Sequence, residues 1–458
     1  MRILSNMKKF KRLISLALLI TLAVGCFTGC QTGAEETKST ESAAFVDYVA
    51  ETKLDMNSST LKQEVTVKSF IDGDTTHFYV PTSVSSDGVL KARYVCVNTP
   101  ESTGKIEEWG KKASSFTKEK LASASSIIIE SDDEKWNADS TGDRYLVWVW
   151  YRTSDSEDYR CLNLELIQNG LSISCGSNAY RYGDICSNAF QQAKTHKLHV
   201  FSGQDDPDFY YGDAYEVTLK GLRTNISLYE NTTVAFEGVV TRNNNNSVYV
   251  EEYDPETDMY YGISVYYGFE TGEILNILQV GNRVRVVGSL QYYEAGGTWQ
   301  VSDVTANAWR PNDPNNCVLL ETGCSAANTL TDPSVFTGGT VTVDVLKSLD
   351  SDETEEKSFR YTDLAMNTTI QMKNLYVKSI YTTHNGGDSD GAMTLTCTVD
   401  GVTVDVRTIV LYDANGNLLT ESDLLGKTID VTGLIDYYSG SYQIKVLTTD
   451  DIVIVIHE

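Results

Sequence analysis

The sequence predicts a mixed α+β block followed by two small all-β barrels, and three observations carry that prediction. Between residues 61 and 203, β-like runs alternate with three helix-like stretches. From residue 204 onward the helical spacing gives way to short strands and turns. Within that second part, two stretches read as diverged copies of each other. Composition agrees: Tyr (27) and Gly (33) are abundant and Pro (7) is scarce, as short strands with turns require.

In the first block, Val65–Phe70, His77–Val80, Leu90–Val97, Ser126–Glu130 and Tyr145–Tyr151 read as strands. Glu107–Ala122, Leu162–Asn169 and Ser187–His196 read as helices, the first with Trp109, Ala113 and Phe116 along one side. Five strands with interspersed helices suggest a small barrel of the OB type carrying three helices. In the second part, Asn231-Thr232-Thr233-Val234 is echoed by Asn367-Thr368-Thr369-Ile370. The phrase Gly281–Gly288 is echoed by Gly426–Gly433, and an aromatic hairpin follows each (Tyr292-Tyr293, then Tyr437-Tyr438). Each copy is short enough for a five-stranded barrel and resembles the OB-fold modules found beside secreted bacterial nucleases. The expected boundaries are 61–203 for the first block, 204–310 and 336–458 for the OB-like modules, and 311–335 for a linker.

The chain has 458 residues, room for about three domains. Its 41% hydrophobic and 22% charged residues exclude wholesale disorder and a multi-span membrane protein. Sixty-three acidic residues against 37 basic ones exclude general coating of nucleic acid by charge. The imbalance is local: residues 61–203 hold 16 basic and 19 acidic side chains, and residues 204–458 hold 14 and 38. Acidic OB modules repel phosphates unless their binding face is basic, so the C-terminal pair reads as spacers or protein-contact modules, with an envelope protein as a possible partner.

At the N-terminus, Arg2, Lys8, Lys9, Lys11 and Arg12 precede the apolar stretch Leu13–Val24, too short to span a bilayer comfortably but right for a signal peptide over 1–25. The small residues before Cys26, and again before Cys30, resemble a bacterial lipobox. That resemblance implies lipidation of Cys26 (or Cys30) and a cell-membrane anchor facing the extracellular side. Residues 26–60 read as a flexible tether. Export makes disulfides possible: Cys317 with Cys324, and a pair among Cys161, Cys175 and Cys186. None has the spacing of a zinc site.

Four pieces of the first block carry chemistry. Asp72-Gly73-Asp74-Thr75 is a tight turn presenting a carboxylate before a strand. Arg93–Val97 is a strand whose alternation sends Arg93, Val95 and Val97 to one side, ending in Asn98-Thr99-Pro100-Glu101. Gly142-Asp143-Arg144 is a turn at the start of an apolar strand, and the helical stretch Leu162–Asn169 follows. In this order and spacing the pieces resemble the thermonuclease, or staphylococcal-nuclease-like, family. The resemblance implies a staphylococcal-nuclease-type OB barrel with three helices. It also implies calcium-dependent endonucleolytic hydrolysis of DNA and RNA, leaving 3′-phosphate ends. Asp74, Asn98 and the Thr99 carbonyl would then hold Ca²⁺, Arg93 and Arg144 would contact the phosphate, and Glu101 would position or deprotonate the attacking water. Tyr180 and Tyr182 would lie near the nucleotide.

Asn98 departs from the family pattern, which has an aspartate there; the oxygen is kept and the charge lost, which weakens calcium binding. Asp143 also departs, an acid that would hold Arg144 or partly neutralise it. The alternative function is therefore a catalytically weakened nuclease-fold lipoprotein that binds nucleic acid or protein at the surface. His77 reads as a strand residue facing solvent and Cys96 as core. Glu251–Asp254 and Asp350–Glu356 read as solvated acidic loops.

Overall fold

The computed structural model describes residues 44–455 apart from 105, 270–271, 295, 309, 326–328 and 414. Asp47–Glu458 forms one compact unit distinct from Met1–Val46. The signal peptide and the lipidation candidates Cys26 and Cys30 lie outside the described residues. No helix among the described residues is long and apolar enough to cross a membrane. The compact unit is mostly β and contains three closed five-stranded barrels, one N-terminal and two C-terminal, with eight α-helices among the described residues.

Barrel one is built from β1 (Lys62–Asp72), β2 (Thr75–Tyr79), β3 (Val89–Tyr94), β5 (Ser126–Glu130) and β7 (Tyr145–Arg152), with short pairs β4 (Val97–Asn98), β6 (Asn137–Ala138), β8 (Arg160–Cys161) and β9 (Ser174–Cys175) at its margins. The order β3-β2-β1-β5-β7 closes through the parallel pairing of β3 with β7. Asn163 seals that seam: its amide oxygen accepts the Val149 N–H (2.8 Å), and its amide nitrogen donates to the Val95 and Val147 carbonyls (both 3.0 Å). Phe78, Leu90, Tyr94, Ile129, Trp148 and Trp150 fill the interior. Helices α2 (Gly110–Ala122), α3 (Leu162–Gln168) and α4 (Gly183–Thr195) close around it, α3 with every residue buried.

Two expectations change here. A one-turn helix α1 (Tyr48–Glu51) precedes the barrel, with Val49 buried and its N–H donating to Gln168 Oε1 (3.4 Å). From Asp47 the supposed tether is therefore part of the folded unit. The strand carrying Arg93 also stops at Tyr94, because Cys96 takes a left-handed conformation (φ 63°) that only a bend tolerates. Val95 and Val97 are both buried while Arg93 is only partly covered, so the simple alternation fails at this kink.

Barrels two and three repeat one topology. A two-residue lead strand (Tyr215–Glu216; Thr329–Leu330) lies parallel to the long first strand (Thr233–Asn244; Thr369–Thr382), which pairs with the second and fourth strands. Asn231 and Asn367 both have positive φ (59° and 67°) and bond equivalent carbonyls, Leu290 and Ile435, each at 2.9 Å. Gly288 and Gly433 are equivalent too: a Cβ at either would lie 2.5 or 2.7 Å from a carbonyl of the neighbouring strand, so no side chain fits. Barrels two and three share one continuous hydrophobic core, whereas barrel one has its own.

The expected linker 311–335 is divided between the barrels. Val318–Glu321 pairs with the fourth strand of barrel two, and Thr329–Leu330 with the first strand of barrel three. Between them and barrel three stands a separate hairpin, Thr340–Leu346 with Thr354–Arg360, that includes part of the acidic run expected to be a loop. Glu251–Asp254 is likewise not a loop. It ends the strand Ser247–Asp254, and Glu251 is buried between the two barrels, accepting from Thr369 N (2.9 Å) and Thr369 Oγ1 (2.6 Å). All seven described cysteines are free thiols, Cys317 and Cys324 included.

Candidate active site

The turn Asp72-Gly73-Asp74 joins β1 to β2 against the start of the Thr99 loop. A Cβ at Gly73 would sit 2.8 Å from Thr99 Oγ1 and 2.9 Å from the Ala113 side chain, so glycine lets the turn press on both. Asp74 is buried; its Oδ2 accepts the Thr99 N–H (2.8 Å), its Oδ1 accepts from Thr75 Oγ1 (3.0 Å), and it is ion-paired with Arg93. The second guanidinium nitrogen of Arg93 donates to Asn98 Oδ1 (2.7 Å). Arg93 thus spans Asp74 and Asn98, the two side chains expected to share a cation. Asn98 is held from behind by Ser172, whose hydroxyl accepts its N–H at 2.9 Å, and by Ile173 N, which donates to its carbonyl at 2.8 Å.

Glu101 lies on the same cleft. Glu101 is exposed as a residue, but crowding of its carboxyl by surrounding protein, then the neighbouring Asp72 carboxylate, push its pKa up to about 8. Its backbone is clasped at both ends: Glu101 N–H donates to Glu107 Oε2 and Glu107 N–H donates to the Glu101 carbonyl, each at 2.9 Å. Gly110, the first residue of α2, allows this, since a Cβ there would lie 2.0 Å from the Glu101 carbonyl oxygen. Asp72 braces the following residue, accepting from Ser102 Oγ (2.7 Å) and Ser102 N (3.2 Å).

Arg144 reaches the site from the start of β7, close enough for its charge to bear on Arg93. Its partner is Asp139, whose Oδ2 accepts from Nε and lies 2.8 Å from Nη2. Asp143, expected to hold or neutralise Arg144, pairs with Lys91 instead. Arg93, Arg144, Glu101, Asp74, Asn98 and Thr99 are therefore brought to one place.

The tyrosines fare differently. Tyr182 is a core residue, its ring edge-on to Trp148 (4.9 Å) and Trp150 (5.5 Å) and its hydroxyl donating to the fully buried Glu130 (3.2 Å). That packing leaves it no face for a nucleotide. Tyr180 is half-buried at the edge of the same core. His77 is buried rather than solvent-facing, and burial together with the Lys91 ammonium holds its pKa down at about 4.

Sequence reasoning missed the residues that hold the Glu101 loop from outside barrel one. Gly104 N–H donates to Thr218 Oγ1 (3.1 Å) and Thr218 N–H returns a bond to the Gly104 carbonyl (2.9 Å). Ile106 N–H reaches the Glu216 carbonyl (3.3 Å), and Trp109 N–H reaches Asp206 Oδ2 (2.7 Å). Lys111 at the start of α2 is paired with Glu216 (3.0 Å) and Glu237 (2.7 Å). The one available signal was acidic residues beside a helix start carrying two lysines, and charge alone did not say which would meet.

The candidate ligands, the Asp74 carboxylate, the Asn98 amide oxygen and the Thr99 carbonyl, are all oxygens, the chemistry of a hard cation such as Ca²⁺, and Thr99 Oγ1 beside them is buried without a hydrogen-bond partner. Asp74, Asn98 and Thr99 thus fit such an ion in kind, with one carboxylate between them; a cation bound there would displace Arg93 from the two oxygens it now joins. Among the described residues, no group of three His, Cys, Asp or Glu side chains is gathered for a metal.

Comparison with the curated proteins returns no match. A family model described as staphylococcal nuclease homologue (SNase) does match residues 91–202, the segment that includes Arg93, Asn98, Thr99, Glu101 and Arg144 and runs through β7, α3 and α4; this part of the chain is similar to SNase domains.

Proposed function

We propose that the protein is a nuclease that hydrolyses phosphodiester bonds of DNA and RNA. The observation that carries this reading is that Arg144 and Glu101 both lie close enough to Arg93 for their charges to bear on it, at one end of the barrel of an SNase domain. Water adds to phosphorus, the bond to the 5′ oxygen breaks, and that oxygen leaves with a proton, so a 3′-phosphate end remains. The two planar guanidinium forks neutralise the charge that develops on the non-bridging oxygens. Glu101, fixed by Glu107 and Gly110, orients the attacking water and, in the fraction that is ionised despite its pKa of about 8, takes its proton, so the rate rises with pH through that value. Asp74, Asn98 and Thr99 would hold a calcium ion, which would supply further positive charge to the phosphate oxygens. In the cell the domain works outside the membrane, anchored through Cys26 or Cys30.

The second reading, a weakened enzyme that binds rather than cuts, draws on one contact: Arg93 bridges Asp74 and Asn98 instead of facing the cleft alone. Both are tested on the chain from residue 44 with a short oligonucleotide, with calcium or a chelator. Calcium-dependent hydrolysis that Glu101→Gln reduces at least about a hundredfold is the expected result. Asn98→Asp is expected to tighten calcium binding about tenfold by calorimetry, because it restores a ligand charge. Hydrolysis gained only in Asn98→Asp would decide for the weakened enzyme.

A further inference from the structure

The candidate site does not open onto bulk solvent as a bare groove. Asn98, Thr99 and Glu101 form one side of a cleft of about 700 Å³ whose other side comes from the C-terminal half: the helix Leu219–Thr224, Tyr229, and the hairpin 340–360. That hairpin is a fixed wall. Val343 and Val345 are buried in the shared core of barrels two and three, and Leu346 N–H donates to Asn225 Oδ1 (2.6 Å). What the wall presents is negative. Glu256, Asp344, Asp352 and Glu356 line it with one lysine, Lys220, while Glu101, Glu107, Asp143 and a second lysine, Lys91, line the facing side. Both lysines already have carboxylate partners: Lys91 pairs with Asp143, and Lys220 with Asp254 (3.3 Å) and Glu256. Asp344 stands directly opposite Glu356 in the hairpin, a like-charge pairing that a purely structural sheet avoids.

We propose that this acidic wall restricts the site to short oligonucleotides, a substrate class narrower than the polymeric DNA and RNA of an ordinary nuclease. The proposal rests on the nuclease reading and deepens it. A short substrate places its scissile phosphate on Arg93 and Arg144 and has few other charges to accommodate. A long strand carries further phosphates across the wall, where its carboxylates repel them at close range. The cleft volume also lies within the range of small-ligand sites, about 300–1,000 Å³, rather than that of a channel for a duplex. Salt gives an opposite sign to the two cases. A site that tracks a polyanion with lysines and arginines weakens as salt rises, whereas repulsion from an acidic wall is screened, so cleavage of long strands speeds up.

The experiment compares kcat/KM per bond on a nitrophenyl ester of a nucleotide, a tetranucleotide and a long single strand, at low and physiological salt. The tetranucleotide is expected to exceed the long strand at least about tenfold at low salt, with the gap narrowing as salt is added. Asp344→Lys with Glu356→Lys, both exposed positions, is expected to raise cleavage of the long strand about tenfold and leave the ester unchanged. Equal rates on both lengths, a long-strand rate that falls with salt, or no response to the charge reversal would overturn the proposal. Failure of the nuclease reading looks different: none of the three substrates, the ester included, is hydrolysed. Fluorescence anisotropy of the labelled tetranucleotide and long strand on the Glu101→Gln protein then decides the length restriction independently, and equal affinity for the two rejects it.

Discussion

Barrels two and three are copies in strand order, in the positive-φ asparagine before the first strand and in the glycine of the fourth, yet they bind different things. The difference is concentrated in the lead strand. In barrel two its second residue is Glu216, buried, joined to Lys111 and Arg285 (each 3.0 Å), and lending its carbonyl to Ile106 of the Glu101 loop. The equivalent residue of barrel three is Leu330, 64% exposed. One duplicated module has become a support for the candidate active site, and the other supports its sibling through Thr369 on Glu251 and Asp451 on Arg242 (2.9 Å). The interior of a barrel fixes its topology and leaves its rim free to diverge.

The largest expected effect comes from making barrel two resemble its copy. Glu216→Leu takes the carboxylate from the largely buried Arg285 and leaves Lys111 with Glu237 alone, and breaking a buried pair by removing one partner costs up to roughly 3–5 kcal/mol. Urea unfolding checks the stability, and a fall in kcat on a nucleotide ester checks that the Glu101 loop has lost its support. Next is the seam between the two copies. Burial raises the Glu251 pKa to about 7, so the folded state holds this proton more tightly than the unfolded chain does. The corresponding stability is complete below about pH 4.5 and is lost as pH rises through about 7, worth roughly 3 kcal/mol at most. Glu251→Gln keeps an acceptor for the threonines and is expected to remove that pH dependence, seen as the difference between wild-type and variant unfolding curves across this window.

A smaller effect is expected from Thr218→Val, which removes the hydroxyl that accepts from Gly104 and, as N-cap of the helix Leu219–Thr224, from Gly221, and leaves the bulk: about 1–2 kcal/mol. Loop support predicts that this loss is read in kcat rather than in KM; a loss confined to thermal stability would mean that barrel two merely sits beside the site. Smallest is the reciprocal change, Leu330→Glu. An exposed position without partners is expected to shift stability by less than about 0.5 kcal/mol. A large effect there would mean that barrel three's lead strand also has a docking role.

Much of barrel one was legible because its signals are local. The Asp72-Gly73-Asp74 turn, the Thr99-Pro100-Glu101 loop and the three helices each announce themselves within a few residues, and Ser126–Glu130 matches residue for residue. The duplication was legible because Asn231/Asn367 and Gly288/Gly433 meet steric conditions that other residues satisfy poorly. What escaped depends on distant partners. His77 and Tyr182 look like surface polar residues until the Lys91 strand and the Trp148–Trp150 pair are folded over them. The bond from Gly104 to Thr218 crosses 114 positions and leaves no trace in either neighbourhood. The kink at Cys96 escaped for a different reason: cysteine carries no preference for a left-handed backbone, and closure of the barrel imposes it.

The split of the interior into two large cores, with only the small cluster Tyr210, Ala235 and Val287 apart from them, has a consequence for the order in which the molecule comes apart. Barrels two and three, sharing one core, melt as a single cooperative unit, and barrel one as another. The amides of Gly104, Ile106 and Trp109 belong by sequence to the first unit, but their hydrogen-bond acceptors belong to the second. Their hydrogen exchange is therefore governed by separation of the two units, an event that exposes the Glu101 loop while each barrel remains intact.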